Sequence, residues 1–196
     1  MDSTQAAEHD NISSLLRNVR QGDRSSFVEI VSLFQKKVYL LAYSYFKNRE
    51  DAMEILQETF LRFYQKVDLF EEGRNFQSWL LQIAKNLCID YDRKHYQRRR
   101  GQECSKRVEE LNVADERNSR QERSSDLKVI FSSCLEQLAE RQRMIFTMRH
   151  YNGLKYREIA RILGISIGTV KSLHFKAVQN LRGLVGPYLG MNHEHL

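Results

Sequence analysis

The sequence predicts an all-α protein made of two small helical domains joined by a flexible linker. Glycine is sparse, with 9 in 196 residues, and the single proline, Pro187, lies near the C-terminus, so almost nothing interrupts helical periodicity before it. Apolar residues recur at helical spacing in two blocks. Between them residues 101–126, GQECSKRVEELNVADERNSRQERSSD, carry few large apolar side chains and charges of both signs. An apolar content of 41% allows modest cores, which suits two small units better than one large fold.

The elements follow in order. Residues 1–22 are polar and expected to be frayed, although Ile12, Leu15, Leu16 and Val19 can form one short amphipathic turn. Asp23, Ser25 and Ser26 offer caps to a helix with Phe27, Ile30, Val31, Phe34, Val38, Leu41, Ala42 and Tyr45 on its apolar positions. After a connection at 47–50, a second helix over 51–67 buries Ala52, Ile55, Leu56, Thr59, Phe60 and Phe63. Residues 68–75 read as a loop containing Gly73. A third helix from Phe76 buries Trp79, Leu80, Ile83, Ala84, Leu87 and Tyr91, completing a unit at 23–100. The period resumes at Leu127 with Ile130, Phe131, Cys134, Leu135 and Leu138. A further helix carries Met144, Ile145 and Met148 within a second unit at 127–184. The chain beyond Arg182, with Gly183, Gly186, Pro187 and Gly190, is not expected to add to the core, and 185–196 reads as a tail.

The most informative stretch is YREIARILGISIGTVKSLHFKAVQNL, Tyr156 to Leu181. Ile159, Ala160 and Leu163 share one face of a first helix, and Ala160 is small enough for close approach of a second. Gly164 ends that helix where a left-handed residue costs least, and Ile165 plugs the gap between the helices. Ser166 is a good helix start, and Val170 and Leu173 return one stripe to the core. Thr169, Lys171, Ser172, Phe175 and Lys176 remain outward. Cations suit phosphate, hydroxyls suit phosphate or base edges, and a ring can meet a thymine methyl. The plainer reading is a helical hairpin with a basic solvated face.

Net charge is +6, but its distribution says more. From Arg141 to Arg182 nine Lys and Arg face one acid, Glu158, the footprint of a polyanion-binding module. Arg93, Lys94, Arg98, Arg99 and Arg100 form a second basic run with His95 and Tyr96 interleaved. Glu50, Asp51, Glu54 and Glu58 form an acidic stretch better explained by a protein partner than by DNA. Cys88, Cys104 and Cys134 are far apart and odd in number, so neither a disulfide framework nor a zinc site is expected. Cys88 and Cys134 sit on apolar faces as buried thiols. No signal peptide, membrane-length apolar run, phosphate loop, HExxH pair or nucleophile with a nearby base is present, so no enzyme activity, cofactor, metal or small-molecule substrate is expected. His193 and His195 read as a solvated terminal pair. A cytoplasmic location without membrane insertion is the default.

DAMEILQETFLRFY at 51–64, NFQSWLLQIAKNLCIDYDRK at 75–94, a polar linker, and YREIARILGISIGTVKSLHFKA at 156–177, in that order, resemble the extracytoplasmic-function sigma factors of bacterial RNA polymerase. The likeness covers about residues 25–100 and 127–182. It implies sigma region 2 at 23–100 and sigma region 4 at 127–184, with promoter recognition and melting for transcription initiation as the function. It also implies core RNA polymerase, promoter duplex and the melted −10 strand as partners, with an anti-sigma factor as a further one. By this likeness Asp51, Glu54, Gln57 and Glu58 dock on the polymerase. Phe70, Asn75 and Phe76 hold an extruded −10 base, and Arg93, Lys94, Arg98, Arg99 and Arg100 track phosphates. Lys171, Ser172, Phe175 and Lys176 enter the −35 major groove, with Thr169, Arg149 and Arg157 on phosphates.

Some alternatives stay open. The acidic stretch also reads as a solvated helix start favoured by its dipole. Trp79 reads as core more readily than as a base-stacking ring, and Asn86 and Asp90 fit either a structural or a DNA-facing role. The family often has Arg then Leu where this chain has Leu173 and His174, so His174 is an open question. The competing function is a helix-turn-helix regulator that binds operators without being a polymerase subunit, against which no dimer seam is visible. An anti-sigma-like binding protein fits poorly with the basic second unit.

Overall fold

Side-chain caps mark four of the helix starts. The Asp23 carboxylate accepts from the backbone N–H groups and hydroxyls of Ser25 and Ser26, which holds its pKa down at about 2. Asn48 Oδ1 accepts from Asp51 N at 3.0 Å, Asn75 Oδ1 from Ser78 N at 2.8 Å, and Ser166 Oγ from Thr169 N at 3.0 Å. The computed structural model describes the backbone of residues 3–71, 73–99 and 122–189, and the side chains of 10–71, 73–94 and 129–188. Among the described residues there are eight α-helices and no strand: α1 (Ser3–Arg20), α2 (Arg24–Phe46), α3 (Arg49–Lys66), α4 (Phe76–Arg99), α5 (Glu122–Gln137), α6 (Glu140–His150), α7 (Tyr156–Leu163) and α8 (Ile167–Val185). The all-α expectation holds.

Helix α2 is the axis of the first unit. Its Ile30, Phe34, Val38 and Leu41 share a core with Phe60 and Phe63 of α3 and Phe76, Leu80, Leu81 and Ala84 of α4. A satellite cluster of Ala42, Ala52, Ile55 and Cys88 closes the other end, where burial pushes the Cys88 thiol up to about 12. In the second unit Cys134, Leu138, Phe146, Ala177 and Leu181 join α5, α6 and α8.

The N-terminal stretch differs from the frayed expectation. It forms α1, with Leu15, Leu16 and Val19 buried in the α2 core. Arg20 fastens it by donating to the carbonyls of Val67 and Phe70, so a polar stretch gains helix through one apolar stripe and a long-range cap. Helix α5 starts at Glu122, earlier than the resumption expected at Leu127. Leu184 and Val185 pack against the second core, so the chain beyond Arg182 does contribute to it.

The two units are not independent in this conformation. The first core continues through Met144, Ile145 and Met148 of α6, Leu154, and Ile159 and Ile162 of α7. Arg143 of α6 is only 5% exposed, and its guanidinium donates to Ser44 O at 2.5 Å and Tyr45 O at 3.3 Å. Those carbonyls belong to the last turn of α2, which has no intrahelical donor for them. Tyr43 Oη donates to Glu136 Oε1 at 2.6 Å, and Gln77 of α4 donates to the Asn152 carbonyl.

Candidate nucleic-acid interface

Helix α8 presents the basic surface that the sequence foretold. Val170 and Ala177 are fully buried and Leu181 nearly so, which turns Thr169, Lys171, Ser172, Phe175 and Lys176 outward. Phe175 is 64% exposed, a large ring with no packing duty on this surface. Gly164 supplies the turn at φ 67°, and Ile165 is half-buried against the core between α7 and α8. Ile162, not among the expected buried positions, is 2% exposed. Arg157 is exposed. Arg149 is partly committed, donating to Leu154 O at 2.9 Å with its guanidinium 4.8 Å from the Tyr156 ring centroid.

His174 has a definite setting that the sequence left undecided. Its Nε2 lies 2.9 Å from His150 Nε2 and its Nδ1 lies 3.1 Å from Tyr156 Oη. The two imidazoles stack at 5.1 Å, and Phe146 stacks on His150 at 4.3 Å. His150 carried no motif in the sequence and was not anticipated.

The loop before α4 corrects one expectation. Phe70 and Phe76 are 5% and 3% exposed, in an aromatic cluster with Phe34, Phe63 and Trp79, so neither offers a face to a base. Their burial follows from the apolar face of α4 closing on α2 and α3. Trp79, half-buried among Phe63, Phe70 and Phe76, has the core role. Asn75 is exposed and caps α4. Above the buried rings, Ile12, Ser13, Arg20, Gly73 and Arg74 line a shallow depression. Arg93 and Lys94 are exposed on the far part of α4, and Arg93 pairs with Asp90 at 3.0 Å. The side chains of Arg98 and Arg99, and all of Arg100, lie outside the described residues, as do Cys104, His193 and His195.

On α3 the acidic groups share one surface with exposed Met53 and Leu61. Tyr91 of α4 donates toward Asp51 Oδ1 at 2.7 Å and lies 3.1 Å from Glu54 Oε2, holding the two carboxylates together. The neighbouring negative charges and burial push the Tyr91 phenol well above its ordinary pKa, burial first. Gln57 is exposed, and Glu58 pairs with Arg62 at 2.7 Å. The sequence marks Tyr91 only as an apolar position of its helix, and Arg143 has no sequence signal beyond its type.

Comparison with known proteins gives two family matches in chain order. Residues 30–99 match Sigma-70 region 2, and residues 128–181 match Sigma-70, region 4. The chain is 29% identical over 177 residues to the ECF RNA polymerase sigma factor SigW of Bacillus subtilis, covering 87% of this chain and 95% of that protein. It is 30% identical over 183 residues to the ECF RNA polymerase sigma-E factor of Escherichia coli K12, covering 89% and 94%. In fold it resembles the sigma factor RpoE solved with the anti-sigma factor NepR from Bartonella quintana, with TM-score 0.68, 24% identity, and 81% and 96% of the two chains covered. It also resembles CnrH solved with the cytosolic domain of CnrY, with TM-score 0.62, 22% identity, and 91% and 98% covered.

Proposed function

The chain belongs to the ECF RNA polymerase sigma factors, and from that premise we propose that its two units divide promoter recognition and melting for a bacterial core RNA polymerase. One observation carries the residue assignment. The stripe of α8 that is not packed holds Lys171, Ser172, Phe175 and Lys176, the groups a major-groove helix needs. In this reading those four enter the −35 groove, and Thr169, Arg149 and Arg157 meet its phosphates.

The first unit handles the −10 element. Asn75 and the loop around Gly73 receive the extruded base, with Phe70 and Phe76 supporting the loop from below. Arg93, Lys94 and the Arg98–Arg100 run follow the strand, each phosphate contact adding about 0.7 to 0.9 to the salt slope. Asp51, Glu54, Gln57 and Glu58 of α3 dock on the polymerase, with Met53 and Leu61 as apolar partners among them. The bond-making chemistry is the polymerase's, and no catalytic group is assigned to this chain. The protein works where the polymerase does, in the cytoplasm. Among the described residues no helix is long and apolar enough to cross a membrane. An anti-sigma protein, the partner that the RpoE neighbour carries, belongs with this reading.

Run-off transcription with sigma-free core polymerase and a library of randomised promoters tests it. The expected outcome is start-site choice that depends on the added chain, with protection of two separated elements only when core is present. A symmetric footprint made by the chain alone, with no start-site choice, would replace this reading with the operator-binding one.

A further inference from the structure

Helix α6 ends at His150, and α8 brings His174 against it, beside the recognition face but outside the contacts assigned above. We propose that the His150–His174 pair is a proton-gated phosphate contact, which on taking up one proton joins Arg149 in holding the DNA backbone beside the −35 element, next to the groove-entering Lys171. The proposal rests on the reading of α8 as the recognition helix.

Placement is the first argument. His174 is half-buried, directly before the exposed Phe175 and three residues after the exposed Lys171, so it sits at the seam between the core stripe and the outward stripe. His150 is exposed at the end of α6, next to Arg149. The imidazoles therefore share one rim of the reading surface with two cations.

Chemistry is the second. An Nε2 to Nε2 distance of 2.9 Å needs one N–H and one lone pair, which a neutral pair provides through its tautomers. One added proton turns this into an imidazolium donating to an imidazole, a charge-assisted bond that keeps the same geometry. Two added protons would set N–H against N–H and break it. The capacity of the intact pair is thus one proton, and the other nitrogen of His174 stays on the Tyr156 hydroxyl.

Electrostatics is the third. The groups facing the pair are Arg149 and the Phe146 ring from α6, the Tyr156 hydroxyl from α7, and Lys171 one turn away on α8. Among the described residues no carboxylate is ion-paired with either imidazole, and no third metal-ligating group joins them. Burial first, and then nearby positive charge, hold both histidines below their ordinary value. Near neutral pH the free chain therefore keeps the pair uncharged for want of an anion. A backbone phosphate supplies one and raises the affinity for the proton. Binding then strengthens as pH falls through the window between the free pair's titration and the higher titration in the complex.

The test uses the holoenzyme and a duplex carrying the upstream element recovered by the promoter selection, at fixed ionic strength because phosphate contacts depend on salt. Between pH 7.5 and 6.0 the affinity is expected to rise roughly 3- to 10-fold, as one linked proton allows. Calorimetry of the wild-type holoenzyme in buffers of different ionisation enthalpy should show an uptake on binding of about a third to two thirds of a proton in that pH range, and not more than one. His150→Gln and His174→Gln, made separately and checked for cooperative unfolding, should each flatten the pH dependence. Absence of proton uptake by the wild type overturns the proposal whatever the variants do, and so does a pH slope retained in both variants. The joint change Lys171→Ala and Lys176→Ala should weaken binding at every pH. If that variant binds normally, it is the recognition-helix reading that fails, and a proton linkage removed by the histidine changes would then belong to a different DNA face.

Discussion

Asp23 and Tyr91 show how much single side chains do here beyond their type. Asp23 is ionised well below the usual carboxylate range because Ser25 and Ser26 donate to it from both backbone and hydroxyl. Its folded pKa is depressed, so the stability it brings is present above about pH 4 and is lost as pH falls toward 2. Asp23→Ala should lower the thermal midpoint at pH 7 and lower it much less at pH 2, as followed by circular dichroism. Tyr91 holds Asp51 and Glu54 in one arrangement on the surface proposed to dock on the polymerase. Tyr91→Phe keeps the ring packed against Phe46 but frees both carboxylates. Polymerase affinity should fall about 3- to 10-fold, the equivalent of one ordinary hydrogen bond, while the melting midpoint moves little. Charge reversal at Asp51 and Glu54 should cost more, and unchanged affinity would place docking on another surface.

At the level of the element, the helix-turn-helix was readable because each of its requirements is local. Gly164 has φ 67° with open space where a Cβ would stand, so the cost of Gly164→Ala is backbone strain and not a clash. Chemical denaturation should show a loss of roughly 1 kcal/mol or somewhat more. Replacing Lys171 and Lys176 with Ala should reduce the slope of log affinity against log salt by about 2, one for each phosphate-range cation removed. A slope that stays the same would take both lysines off the DNA. Helix α1 shows the opposite case. Its polar composition gives almost no helical signal, and what secures it is the burial of Leu15, Leu16 and Val19 together with Arg20 reaching carbonyls some 47 and 50 residues away.

For the whole molecule, the arrangement of the two units constrains how it can act. Helix α7, the first of the reading pair, packs on α4, the helix assigned to the −10 element, yet the two elements are about 80 Å apart along a duplex at 3.4 Å per base pair. The units must separate to hold both. The 22 residues from 100 to 121 can span at most about 75 Å, so that separation needs the width of the units themselves in addition to the chain between them. Arg143 favours the closed arrangement by capping α2, whereas the buried side-chain amide of Asn152 opposes it, having no hydrogen-bond partner among the described residues. Arg143→Met should open the units, seen as a larger radius of gyration by X-ray scattering and as faster association with core polymerase. Asn152→Leu should act in the opposite direction, stabilising the closed form by about 1 kcal/mol or more.

The sequence alone determined that helices run from α2 onward, the caps at Asp23 and Ser166, the turn at Gly164, the outward face of α8 and the separation of acidic from basic stretches. Each of these depends on residues within a few positions of one another, where spacing and side-chain type are sufficient. Tertiary structure alone decided that α6 and α7 share the core of α2, that Arg143 caps a helix 98 and 99 residues earlier, that Phe70 and Phe76 are buried, and that His150 meets His174. An apolar stripe reads the same whether its own domain or the neighbouring one covers it. A lone arginine or histidine carries no mark of its distant partner until the chain has folded.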